Sequence, residues 1–287
     1  MSYFYLILQA VIFSFGGLMI KASGTMISPM LLSFLRFLIG VALLLLILKI
    51  RSGRIRLTLV GSWIILGGIA KAIHYVGENY GVMQGASYGG IIVWPVQTLV
   101  VLLVSIFVYK ERITLKTALG TLCCIGGISL VTWNGKAPEV FFQSQASALV
   151  AFILAGTGAA CFSIAQKHLV KTMNIVEMNA SMFFYGMLTS LLVLPPTGPH
   201  TTGAVNMAGI FSITVLGIIT CVGFLLQAAA IKTVPLLIAT IIQSSTVLLT
   251  ILWGVLFYGD SITGYVVAGT VFFLAGIIVI NLRQKKA

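Results

Sequence analysis

The chain has 287 residues, 59% of them apolar and only 8% charged, with a net charge of +12 and a mean hydropathy of +1.12. A water-soluble domain carries about a quarter charged residues, so this chain cannot clothe itself in a wetted surface and must use lipid as part of its solvent. Barrel strands would alternate apolar and polar residues. Here runs such as 38–48 and 96–108 are continuous, so the backbone must close its hydrogen bonds inside helices, and the expected fold is an all-α membrane protein.

Cutting the sequence at charged and Gly/Pro-rich breaks leaves ten stretches near the ~20 residues that a bilayer crossing needs. They run 3–20, 29–48, 57–80, 85–109 and 113–133, then 146–166, 176–195, 207–231, 235–258 and 264–282. The first has no basic prefix and no clear small-x-small cleavage site, so it is expected to be a retained span and not a signal peptide. Cys123, Cys124, Cys161 and Cys221 lie inside apolar runs without metal-ligand spacing. They read as packing residues, and neither a metal nor another cofactor is expected.

Ionisable groups at membrane depth cost about 2.5–3.5 kcal/mol each even on lenient insertion scales, so they mark a partner helix or a wet cavity. Span 2 carries Arg36. Span 3 carries Lys71, His74 and Glu78 at spacings of three and four, which place them on one helical face with Tyr75 beside them. Two readings of that face stay open. It lines a substrate or proton pathway, or it pairs internally, for instance Glu78 with Arg36, and only locks helices together. Span 4 sets Trp94, Gln97 and Thr98 on one face, and Pro95 in mid-span predicts a kink or hinge that frees a carbonyl. Gln227 in span 8 and the run Gln243-Ser244-Ser245-Thr246 in span 9 are too polar for lipid. Together they predict a polar and aromatic cavity between spans 3, 4, 8 and 9. Gly77, Gly81, Gly85 and Gly89 recur every four residues and predict close helix packing or a hinge.

The basic residues are distributed unevenly. Lys21 and Lys136 fall on one side, Arg36 and Lys71 lie within spans, and every other Lys and Arg falls in the opposite set of connections or at the C-terminal end. By the positive-inside rule that basic side is cytoplasmic, and both termini lie there. The charge is then a topology signal that also meets anionic headgroups, and a nucleic-acid partner is not expected. The lipid bilayer itself is.

Offsetting the sequence by 149 positions aligns its two halves. Phe13-Ser14 falls on Phe162-Ser163, Phe34 on Phe183, Gly68 on Gly217, Tyr109 on Tyr258, Gly120-Thr121 on Gly269-Thr270 and Gly127-Ile128 on Gly276-Ile277. Under the same offset Gln227 is the mate of Glu78. Five spans per half is an odd number, so the second half, 138–287, is expected to be inverted relative to the first, 1–137. Inverted repeats of this kind belong to alternating-access transporters, with the substrate site near the midplane between the halves.

Several segments resemble a known family. Leu35-Arg36-Phe37 in span 2, Glu78-Asn79-Tyr80 leading through Ala86-Ser87 to Trp94-Pro95, and Tyr109-Lys110-Glu111-Arg112-Ile113-Thr114 before a Gly-rich fifth span are similar to the EamA-type drug/metabolite transporters. Trp94 stands where that pattern has Ser, and Gly259-Asp260-Ser261 replaces part of the loop motif in the second half. The resemblance spans nearly the whole chain and implies a secondary active transporter, multi-pass in the cell membrane, of the bacterial inner-membrane type.

The expected cargo is a small polar metabolite such as an amino acid, moved by alternating access as an export, with a coupling proton as a further ligand. Lys71 and Glu78 on one face suit the carboxylate and the amine of a zwitterion. The rival reading is efflux of organic or quaternary amines, with Glu78 as counter-ion and Trp94 or Tyr75 as a cation–π face; a remote third is lipid handling. An enzyme is not expected, because no nucleophile–base set or acidic cluster stands at matched depth.

Overall fold

The computed structural model describes residues 1–84, 92–110, 113–133, 135, 146–194, 200–258 and 262–281. They form twelve helices and, among the described residues, no strand beyond one isolated bridge between Ile27 and Thr201. The helices are α1 (Ser2–Ser14), α2 (Gly16–Ser23), α3 (Pro29–Ser52), α4 (Ser62–Gln84), α5 (Val93–Phe107) and α6 (Leu115–Trp133). They continue as α7 (Ala146–Leu169), α8 (Ile175–Val193), α9 (Met207–Ile231), α10 (Leu236–Gln243), α11 (Thr246–Tyr258) and α12 (Gly264–Asn281).

Each of the ten apolar stretches carries helix, and two of them are broken. The first divides at Phe15 into α1 and α2, and the ninth divides at Ser244-Ser245 into α10 and α11. Among the described residues, six segments are long and apolar enough to cross a bilayer: Ser2–Ser23, Pro29–Ser52, Ser147–Leu169, Ile175–Val193, Met207–Ile231 and Leu236–Phe257. Three further apolar helices are shorter. Helix α4 is long enough as well, but its ionisable residues lower its hydropathy. The third stretch also begins later than expected, because 55–61 is non-helical and helix starts at Ser62. Thr58 is held there by its amide donating to Ser181 Oγ and its hydroxyl to Glu177 Oε1.

Helix ends follow local chemistry. Ser28 caps α3 by accepting from Leu31 N, with Pro29 at the first helical position, and Gly53 ends it at φ 66°. Asn174 caps α8 and Asn206 caps α9 in the same manner.

Among the described residues, polar side chains lie buried within an apolar core, and large apolar ones face outward. Gln9, Lys71, Asn79, Gln166 and Asn179 are completely buried, while Leu192, Leu115, Phe107 and Phe211 stand exposed on the outer surface. An exterior of large apolar side chains around a core that shelters polar groups is what lipid solvation selects.

The two halves of the sequence interdigitate. Helix α4 packs on α7 and α8, α9 on α1, α2 and α3, α5 on α7 and α10, and α1 on α10 and α11, while α3 pairs with α8 and α6 with α12. The α6–α12 crossing is close because glycine backbones meet. A Cβ on Gly127 would lie 2.6 Å from Gly269 O, and one on Gly276 would lie 2.6 Å from Gly120 O. Gly77 and Gly81 serve the packing expected of them, against Ala151 and Ala155 and against Phe152 of α7. Gly85 and Gly89, Tyr88, the Glu111-Arg112 turn, Lys136 and Asp260 lie outside the described residues.

Candidate functional site

Where the broken helices meet α3, α4, α5, α7 and α9, the bundle encloses a cavity with about 740 Å³ of empty space, its open mouth included. All nine side chains expected along a pathway border it: Arg36, Lys71, His74, Tyr75, Glu78, Trp94, Gln97, Gln227 and Gln243. The cavity is wider in origin than the four spans expected. Helix α3 contributes Arg36, α1 and α2 contribute Phe13, Gly16 and Gly17, and α7 contributes Ala159, Phe162 and Ser163.

One wall is a chain of ionisable groups. Arg36 Nη1 donates to Asn79 Oδ1 at 2.8 Å and reaches Glu78 Oε2 at 3.4 Å, and Asn79 Nδ2 donates to Ser33 Oγ at 2.8 Å. The guanidinium carbon sits 3.6 Å from the centroid of the Tyr75 ring, and the Tyr75 hydroxyl bonds Thr220 Oγ1 at 2.9 Å. Lys71 Nζ lies 2.7 Å from His74 Nδ1, and His74 Nε2 lies 3.9 Å from Glu78 Oε2. A His74 tautomer with Nδ1 bare accepts from the lysine and aims its Nε2–H toward the carboxylate. The geometry leaves both readings of this face open. Glu78 pairs with Arg36, and the same residues border the cavity.

The opposite wall is a relay of amides. Gln243 Nε2 donates to Gln9 Oε1 (2.9 Å), Gln9 Nε2 to Gln227 Oε1 (3.0 Å), Gln227 Nε2 to Ser163 Oγ (2.9 Å), and Gln97 Nε2 to the same hydroxyl (3.2 Å). The relay crosses from α10 through α1, α9 and α7 to α5. The break in the first segment is stitched to α11. Phe15 stacks on Trp253 at 4.8 Å, Trp253 Nε1 donates to Ser14 Oγ, and Thr246 and Thr250 donate to Ala10 O and Ser14 O.

Gln9, Asn79 and Ser163 were not among the expected site residues. Gln9 carries the same signal that singled out Gln227, a carboxamide within an apolar run. Ser163 and the rings of Phe13, Phe162 and Phe224 carry no such signal, since a serine or phenylalanine in a membrane helix is ordinary packing. Pro95 falls in the first turn of α5, where its missing N–H removes no bond from that helix. The expected kink would involve 85–91, outside the described residues. The ninth segment does break at Ser244, the repeat mate of Pro95.

Apolar outside, with polar side chains gathered around a central cavity and long apolar helices about it, this is a multi-pass membrane protein. The model of the EamA-like transporter family matches residues 1–133 and 146–282, and the chain belongs to that family. It is 24% identical over 296 residues to an uncharacterized transporter of Clostridium kluyveri, covering 100% of this chain and 94% of that one. A solved crystal structure with 16% identity superposes at a TM-score of 0.73, covering 98% of this chain and 97% of the other, and shares its fold.

Proposed function

We propose that this transporter exports a small polar metabolite bearing a carboxylate, an amino acid being the type case, through alternating access of the central cavity. The observation that carries the reading is the charge arrangement of the cavity wall. Arg36 and Glu78 already engage each other, and among the described residues Lys71 has no carboxylate within ion-pair distance. A buried cation without a counter-ion is costly, and a substrate carboxylate would complete it. Glu78, half-buried at the cavity edge, and the amide relay are then available to the substrate amine. Efflux of organic amines is less well supported, because a cationic cargo brings no anion to Lys71 and adds positive charge beside Arg36.

The mechanism rests on two inverted five-helix repeats, 1–137 and 138–287, with the basic connections and both termini on the cytoplasmic side of a bacterial inner membrane. The packing is consistent with that symmetry. Exchanging each residue for its partner 149 positions away exchanges the α4–α7 contact with the α9 contacts on α1 and α2, and α4–α8 with α9–α3. It maps the α6–α12 crossing onto itself, Gly127 against Gly269 becoming Gly276 against Gly120. Two such halves can rock about one site with outward-open and inward-open forms of similar energy.

The test is thermal stability of the purified protein against amino acids, amines, nucleosides and phosphorylated metabolites, since a ligand of the folded state raises Tm by mass action. A selective rise with zwitterions, lost in Lys71→Ala and Glu78→Gln, is the expected result. A rise with organic cations alone would overturn the proposal.

A further inference from the structure

Lys71 is completely buried, and the surroundings of its Nζ are mostly aromatic. The nitrogen lies 3.7 Å from the ring centroid of Phe224, 4.3 Å from that of Tyr75 and 5.0 Å from that of Phe162. Those rings come from α9, α4 and α7, and Phe162 and Phe224 hold each other edge to face at 5.1 Å. Ring faces converging on one nitrogen form the kind of cage that binds free alkylated ammonium ions. Here the occupant is tethered to the chain.

The rings of the cage follow the repeat, whereas the lysine does not. Tyr75 and Phe224 are mates under the 149-residue offset, and so are Phe13 and Phe162, whose rings lie 5.0 Å and 5.1 Å from that of Phe224. The aromatic cluster is thus built from both halves alike. The position matching Lys71 in the second half is Thr220, a neutral residue that bonds the Tyr75 hydroxyl. The cation is added to one side only.

We infer that Lys71 is a specificity-determining residue, whose tethered amine occupies an aromatic cage able to take a free quaternary ammonium and so excludes such ligands from the cavity. The inference rests on the reading of this cavity as the substrate site. Two physical terms act together. The lysine fills the space between the rings, and the charge of Arg36 over the same Tyr75 ring repels a further cation. Removing Lys71 opens the cage and leaves the Arg36–Glu78 pair in place, while His74 Nδ1 loses its lysine partner.

The experiment is calorimetric titration of the purified full chain with tetramethylammonium chloride, against sodium chloride as control, for the wild type, Lys71→Ala, Lys71→Thr and Lys71→Arg. The threonine variant borrows the residue of the second half, should alanine fold poorly. Lys71→Ala or Lys71→Thr should bind tetramethylammonium at least roughly tenfold more tightly than the wild type, and Lys71→Arg, which keeps a cation in place, should not. Equal binding by the wild type, or no gain in a neutral variant that melts cooperatively, overturns the inference. Failure of both neutral variants to fold also overturns it, because an occupant the fold requires cannot be displaceable. A gain in the variants without any zwitterion response in the wild type would keep the cage and reject the amino-acid reading.

Discussion

The Arg36 guanidinium is held by several kinds of contact at once: the face of Tyr75, the amide oxygen of Asn79 and the carboxylate of Glu78. Its Nε remains a buried donor without a partner. A planar fork can lie flat on a ring while donating to several acceptors in its own plane, a geometry an ammonium does not reproduce. Removing one member of a buried pair strands the other, so Arg36→Ala should destabilise the protein by about 3–5 kcal/mol, read as a fall in Tm in detergent. Arg36→Lys should recover only part of that loss, and an unchanged Tm in Arg36→Ala would show that the pair contributes nothing to the fold. Glu78→Gln keeps a hydrogen-bonding partner for Arg36 while deleting the charge. It should abolish substrate uptake into proteoliposomes with little change in melting, and unaltered uptake kinetics would remove Glu78 from the mechanism. In the amide relay, Gln9→Leu strips Gln227 Oε1 of its donor and Gln243 Nε2 of its acceptor. Interhelical hydrogen bonds in membranes average about 0.6 and reach about 1.7 kcal/mol, so a loss within that range is expected.

At the scale of helices, the α6–α12 crossing offers an internally controlled test, because Gly126 and Gly127 are neighbours in sequence with opposite surroundings. A Cβ on Gly127 would lie 2.6 Å from both Gly269 O and Phe273 N, while one on Gly126 meets nothing within 4 Å. Gly127→Ala and its mate Gly276→Ala should each lower stability by roughly 1–3 kcal/mol through forced separation of the helices, and Gly126→Ala should not. Equal melting of all three would mean that the crossing is looser than described. The broken segments work differently. The break at Phe15 lies against α11, where Phe15 stacks on Trp253 and both Trp253 Nε1 and Thr250 Oγ1 donate to Ser14, while Thr246, just past the break at Ser244-Ser245, donates to Ala10 O. Non-helical backbone is tolerated at membrane depth only where such partners or a cavity are at hand.

For the whole molecule, the decisive property is the relation between its halves. The loop 24–28 is tied to 200–206 by Ser28 N donating to His200 O and Thr202 N to Met26 O, which places these two connections on one side. Under the proposed topology, single cysteines at Thr25 and at Ser52, in a background without the four native cysteines, should react with impermeant reagents from opposite sides of sealed vesicles. Ser52 should react only from the cytoplasmic face. Labelling of both from the same side would remove the inverted-repeat topology.

Hydropathy and periodicity alone determined that the chain is helical, where its apolar segments lie and that Arg36, Lys71, His74 and Glu78 must turn away from lipid, because the cost of a charge in hydrocarbon acts on each residue whatever its neighbours. Gln227 and Gln243 were legible for the same reason. Only the tertiary structure decided which segments break, that α1, α3 and α7 join the cavity wall, and that Gln9 and Ser163 link the amides into one relay. It also decided that Lys71 ends among three rings. These outcomes depend on contacts between residues as far apart as Gln9 and Gln243, and a phenylalanine or serine in an apolar run has the same transfer energy whether it faces a neighbouring helix, a lipid chain or a cavity.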